Sequence, residues 1–282
     1  MNKVFVSSYG IKNLSIIKTI EKFSKNNINN IELSSNKYIN KKEIKKILKF
    51  KKIKFKLHNY FPPPEIPFVI NLASKDPNII KKSINNIKKS IILSKKLKSS
   101  FFSFHAGFRI DPAASELGNS LYGKICDKKT ALQIFKKNIL LIHRFSKIHK
   151  IKLLIENNVI TKKNFLNYKD NPMLLTSPND IRRFFKSLPK DIGLLLDVAH
   201  LKVSSKTEGF SLKKAFEILN PIVKGYHLSD NNGLIDNNQK FKKNSFFFKF
   251  LKKDLNYYAI EVYKTTAKEL FIQKKIIENF IK

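Results

Sequence analysis

Residues 193–205 read GLLLDVAHLKVSS, and their reading decides the fold. The stretch opens as a run of leucines with no polar face. That is the pattern of a strand buried on both sides, as in a parallel sheet. Asp197 then arrives, and His200 follows three residues later. Two side chains able to hold a metal stand where a core strand runs out.

The same pattern recurs outward in both directions. Short apolar runs at 4–7, 30–33, 53–58, 101–105, 152–156, 192–197, 225–228 and 258–262 predict eight strands. Stretches of helical period lie between them, near 13–26, 41–50, 76–97, 128–149, 177–187, 211–219 and 243–252, with a last helix near 265–281. In TSPNDIRRFF, Ser177 or Asn179 is the expected cap, with Pro178 in the first turn. Strands alternating with helices predict a parallel sheet with right-handed crossovers. Eight such units in 282 residues predict an α/β fold, a single-domain (β/α)8 TIM barrel over 1–282. Segment 59–75, with four prolines, and segment 106–127 are expected as long loops on one barrel face.

Composition bounds the function classes. One cysteine, Cys126, excludes an internal disulfide framework and fits a reducing cytoplasm. The first residues, MNKVFVSSYG, are too polar for a signal peptide, and no apolar run reaches the roughly 18 residues of a membrane helix. A cytoplasmic protein is expected. The net charge of +35 suggests a polyanion partner at first sight. Only four of the 56 basic residues are arginine, however, and Lys, Asn, Ile and Phe are all encoded by A/T-rich codons. Selection for phosphate or base contacts favours the bidentate arginine fork. The lysines are therefore read mainly as codon bias spread over solvated helix faces.

The predicted strand ends carry the chemistry. Glu32, His58, His105, Glu156, Asp197, His227 and Glu261 stand at them, with His200, Asp230 and Asp236 in the segments beyond. In a barrel, strand C-termini converge on one mouth, where active sites form. A lone buried His or Glu at such a place is ordinarily a satisfied core residue, and that reading attaches to Glu32, His58 and His105 taken singly. Glu156, Asp197, His227 and Glu261 end four consecutive predicted strands, and burying unpaired charge is costly. As a set they point to a divalent metal or to catalysis, since mixed carboxylate and imidazole suits Zn, Mn, Fe or Co. Asp230 and Asp236 are also natural turn formers in SDNNGLIDNN. The run SFFFKF at 245–250 reads as core packing of a short helix.

Taken together, NNIELSS, LHNYFPPP, SFHAGF, LLIENN, LLLDVAHLKVSSKTEGF, YHLSDNNGLIDNN and AIEVYK resemble the xylose isomerase-like TIM-barrel superfamily. That superfamily includes sugar phosphate isomerases/epimerases and endonuclease IV, and the resemblance covers nearly the whole chain. In its epimerase branch it implies Glu156, Asp197, His227 and Glu261 as ligands of one divalent ion (Mn, Co, Zn or Fe) with no organic cofactor. Glu156 and Glu261 become the general base and acid for proton transfer beside a carbonyl, through an enediolate stabilised by the metal. His58, His105, His200 and Asp236 become substrate-binding residues, and a sugar or sugar phosphate becomes the expected partner. In the endonuclease branch the resemblance implies a three-zinc cluster drawing also on His58, His105, His200 and Asp236. There Asn238 stands where that branch has a histidine, and an amide is a poor zinc ligand. An abasic-site DNA endonuclease and a non-catalytic sugar-binding barrel are the alternatives. Nucleic acid is the less favoured partner, no membrane partner is expected, and homo-oligomerisation is left open.

Overall fold

The run at Gly193–Asp197 is the sixth strand of a closed barrel in this computed structural model, which describes residues 3–34 and 37–282. Its leucines divide by alternation. Leu194 and Leu196 join the large core between barrel and helices, whereas Leu195 packs inside the barrel with Phe5, Leu154, Tyr257 and Ala259. An apolar residue is thus required at every position until Asp197.

The strands are β1 Val4–Ser7, β2 Asn30–Leu33, β3 Lys54–His58, β4 Phe101–His105, β5 Lys152–Glu156, β6 Gly193–Asp197, β7 Val223–Leu228 and β8 Tyr258–Ile260. Each pairs in parallel with the next, and β8 closes on β1. The helices are α1 Ile16–Lys25, α2 Lys41–Ile47, α3 Pro77–Lys96, α4 Lys128–Ile148, α5 Lys162–Tyr168, α6 Pro178–Lys186, α7 Val198–Glu208, α8 Leu212–Leu219 and α9 Ala267–Phe280. No helix among the described residues is long and apolar enough to cross a membrane. Ser35, in the NNIELSS motif, lies outside the described residues.

Three expectations need correction. The helix expected near 243–252 is a four-residue 3-10 turn, Phe246–Lys249, with Phe247 fully buried. Helix α7 was not expected. It begins directly after β6, and most of its first two turns is buried, so it shows no amphipathic stripe to read. Helix α5 is seven mostly polar residues, too short for a periodic signal. Elsewhere the caps follow the sequence: Ser177 caps α6, accepting from the Asp180 N–H, with Pro178 in the first turn.

The long loops are held by buried asparagine and arginine. Asn71 donates to the carbonyls of Phe108 and Ile110 and accepts from the amides of Ala73 and Phe108. Arg109, 6% exposed, reaches the carbonyls of Cys126 and Asn171 and the carboxylate of Asp170 at 2.7 Å. A satellite apolar cluster of Val69, Phe108, Ile110, Leu121, Ile160 and Met173 lies beneath these loops.

The barrel floor is filled by rings. Tyr257 stacks on Phe101 at 6.0 Å and meets Phe5 edge-on at 5.7 Å. The Lys56 ammonium lies 4.5 Å from the Phe101 centroid and donates to Ser100 Oγ at 2.6 Å; burial lowers its pKa to about 8. Gly225 makes room for Tyr257, since a Cβ there would sit 2.9 Å from Tyr257 Cδ1 and 3.1 Å from Leu195 Cδ1. A Gly225→Ala variant is expected to lose about 1–3 kcal/mol of stability in urea denaturation through overpacking of this floor.

Candidate metal centre

Asp197 is both the last residue of β6 and the N-cap of α7. Its Oδ1 accepts the backbone N–H of His200 at 2.7 Å, a cap of the kind that contributes about 1 kcal/mol. Its Oδ2 has no hydrogen-bond partner and remains for the site. His200, in the first turn of α7, donates from Nδ1–H to the Asn157 carbonyl (2.9 Å) and meets Asp236 Oδ2 through Nε2 at 3.1 Å.

The predicted residues converge. Glu156, Asp197, His227 and Glu261 each offer one ligand atom, all within 4.8 Å of one another, and all four residues are buried. His58, His105 and Glu156 form a second such group, so Glu156 belongs to both. Register places His105 beside Glu156 and Asp197 beside His227. Glu261 lies one residue past β8, its N–H bonded to the Leu228 carbonyl. His227 Nδ1 lies 3.3 Å from Glu156 Oε1 and 2.8 Å from Glu261 Oε2, and Glu156 Oε2 lies 3.3 Å from His58 Nε2. His143 and His149 stay outside: one pairs with Asp191 at 2.8 Å and the other caps α4.

Electrostatics follow from burial and crowding. Burial opposes ionisation of Glu156, but the imidazoles of His105, His227 and His58 outweigh it and hold the carboxyl well below its ordinary value. Burial likewise opposes charge on Glu261, and His227 overcomes it, leaving a pKa of about 2. Asp197 is pushed up to about 7, by burial first and then by the carboxylates of Glu156, Asp236 and Glu261 against the opposing pull of His200. His227 and His200 are held well above the histidine range: burial disfavours their charge, and the facing carboxylates prevail.

This donor set fits a divalent cation. Both oxygens of Glu156, Asp197 Oδ2 and His227 Nδ1 are buried without hydrogen-bond partners, and mixed oxygen and imidazole donors suit Mn, Fe, Co or Zn. The buried atoms lack partners because they point at one another's shared space, where a cation would satisfy them together.

Two further residues contribute: Glu32, which the sequence offered as a strand-end residue without a role of its own, and Tyr263, which the sequence reading missed. Glu32 is fully buried and bonds His227 Nε2 at 2.9 Å. The Tyr263 hydroxyl donates to Glu261 Oε1 at 2.6 Å. Asp230 is not part of the site: it pairs with Lys202 at 2.7 Å and accepts from Ser245, tying its loop to α7. Asn238 is 2% exposed at a positive φ of 43°, with its Oδ1 unpartnered.

A family model described as xylose isomerase-like TIM barrel matches residues 17–262. No curated protein matches the chain. Among solved structures, a D-tagatose 3-epimerase-like protein is 20% identical, with a TM-score of 0.72 over 99% of this chain and 96% of that one. A D-psicose 3-epimerase from Clostridium cellulolyticum H10, bound to D-tagatose, is 14% identical, with a TM-score of 0.65 over 98% and 91%. An AP endonuclease, family 2, from Brucella melitensis is 10% identical, also with a TM-score of 0.65, over 95% and 96%. At these identities the likeness is one of fold.

Asn157, one residue past β5, supports the site from beside the end of β6. Its side chain accepts the Asp197 N–H at 2.8 Å and donates to the Asp197 carbonyl at 3.2 Å, clamping the end of β6. Asn157→Ala removes both of these bonds from a buried place. It is expected to lower unfolding free energy by about 1–3 kcal/mol, read by chemical denaturation.

Proposed function

This chain belongs to the xylose isomerase-like TIM barrel family, and from that premise we propose that it is a divalent-metal-dependent isomerase or epimerase of a sugar or sugar derivative. The observation that carries the reading is the Glu156–Asp197–His227–Glu261 cluster, with its ligand atoms within 4.8 Å and its unpartnered oxygens at the barrel mouth. The epimerases among the similar structures support the substrate class by analogy of fold.

When bound, the ion supplies Lewis acidity toward a substrate carbonyl and its neighbouring hydroxyl. Glu156 and Glu261 both approach His227 Nδ1, at 3.3 and 2.8 Å, so two carboxyl groups are available to one substrate carbon held at this site. One carboxylate removes the proton beside the carbonyl, and the electrons of the broken C–H bond pass toward the carbonyl oxygen. The other glutamate, which must enter the step as the carboxylic acid, gives its proton to the opposite face of the same carbon in an epimerisation or to the neighbouring carbon in an isomerisation, and the two residues end with their protonation states exchanged. The Tyr263 hydroxyl holds Glu261 Oε1 and turns Oε2 inward. His200, steadied by Asp236, stands further out and is suited to orient a substrate hydroxyl. His105, whose side chain keeps 31% exposure, faces the mouth beside it.

A second reading rests on the second group, His58, His105 and Glu156. With Glu156 shared, two ions would sit side by side, an arrangement suited to phosphodiester hydrolysis in an abasic-site endonuclease.

Metal content of protein purified without a chelator or histidine tag separates the two. One Mn, Co, Fe or Zn per chain is expected, with exchange of a sugar C–H proton in heavy water. Glu261→Gln is expected to lower that exchange about 10²–10⁴-fold. Two or more zinc ions together with cleavage of abasic DNA would replace the first reading by the second.

A further inference from the structure

Beneath the ligand layer runs a buried polar chain that neither reading uses. It begins at His227, whose Nε2 lies 2.9 Å from Glu32 Oε2. The same oxygen accepts the Tyr257 hydroxyl. Across the floor, Ser103 Oγ lies 3.0 Å from His58 Nδ1, on the side of His58 turned away from Glu156. Glu32, Tyr257, Ser103 and His227 are each fully buried.

A carboxylate in such a place needs compensation. Lys56 is the register partner of Glu32 across β2 and β3, yet its ammonium turns to Ser100 Oγ and the Phe101 ring. Glu32 is left with His227 and Tyr257. The Glu32 oxygen accepts from His227 Nε2–H, so Nε2 keeps its proton and Nδ1 is the nitrogen that must release one to hold an ion. Nδ1 is the nitrogen that faces Glu156 and Glu261, and it has no hydrogen-bond partner of its own. A carboxylate behind a ligating imidazole fixes tautomer and ring orientation and raises ligand basicity.

Tyr257 completes the device. It cannot swing aside, because it is stacked on Phe101, edge-on to Phe5, and pressed against Gly225. Its hydroxyl therefore keeps Glu32 Oε2 at His227, while Oε1 is buried without a hydrogen-bond partner.

We propose that Glu32, held by Tyr257, is a positioning residue that locks His227 as an Nδ1 metal ligand and sets the site's affinity for its ion. The proposal rests on the metal-dependent reading above but needs only the ion, with no sugar. Metal-free full-length chain is prepared and titrated with Zn²⁺ against a chromophoric chelator, for the native sequence, Glu32→Gln and Tyr257→Phe. Glu32→Gln is expected to weaken Zn²⁺ binding about 10–100-fold, and Tyr257→Phe by a smaller factor in the same direction. Long-range ¹⁵N spectra of the zinc-loaded native protein are expected to place the His227 proton on Nε2 and zinc on Nδ1. A purely structural role for Glu32 would lower thermal stability and leave the zinc constant and tautomer unmoved. Should Glu32→Gln fail to fold, Tyr257→Phe and the native tautomer still decide the matter. Variants that bind zinc within twofold of native, or a proton found on Nδ1, overturn this proposal alone. A native chain that binds no divalent ion overturns it together with the metal-dependent reading.

Discussion

The arrangement of this barrel depends on one buried carboxylate. Glu156 has no exposure, and neither of its oxygens receives a protein hydrogen bond, yet four imidazoles surround it. His58 and His227 approach to 3.3 Å, His200 to 3.6 Å and His105 to 3.9 Å. A charge taken out of water costs several kcal/mol unless compensated. The floor beneath it, with Phe5, Leu154, Leu195 and Tyr257, offers no solvent. Compensation must come from the side or from the mouth. Imidazoles from β3, β4, β7 and the start of α7 supply the first, and a cation bound at the mouth would supply the second.

Holding so many charged side chains at the strand ends leaves backbone groups there without ladder partners. Asparagine satisfies them. Asn157 clamps Asp197, Asn158 bonds the carbonyls of Ala106, Gly107 and Leu174, and Asn71 closes the turn between the two long loops. Each amide carries donor and acceptor on one short stem, which suits irregular backbone that must stay buried. An A/T-rich coding bias that supplies asparagine freely is thus compatible with a well-bonded mouth.

The strands and the convergence of the strand-end carboxylates and histidines were legible because both follow local rules. Leucine, isoleucine and phenylalanine runs mark strands buried on both faces, and carboxylates and a histidine ending four consecutive runs together mark the mouth of a barrel. Helix α7 was hidden because Val198, Leu201 and Ser205 bury one side while Ala199, His200, Val203 and Ser204 bury another. The function of Glu32 was hidden for a different reason. Its partners His227 and Tyr257 lie 195 and 225 residues away, and nothing in the residues around Glu32 announces them. Asp236 and Asp230 sit in one turn and look alike in sequence, but only the first faces His200, because Lys202 claims the second.

Surface and site carry opposite charge, and the contrast bears on the substrate. The chain has a net charge of +35, while Glu32, Glu156, Asp197, Asp236 and Glu261 gather at the centre. Lysines on the exterior attract any polyanion, with affinity that falls steeply as salt rises, whatever the barrel catalyses. Weak binding of DNA therefore says nothing about the reaction. At the centre the argument reverses, since a phosphodiester would face several carboxylates at close range. Each divalent ion adds two positive charges, so an anionic substrate calls for filling the His58–His105–Glu156 group as well, whereas an uncharged polyol is compatible with one ion at His227. Ion number and substrate charge are coupled through Glu156, the one side chain common to both groups.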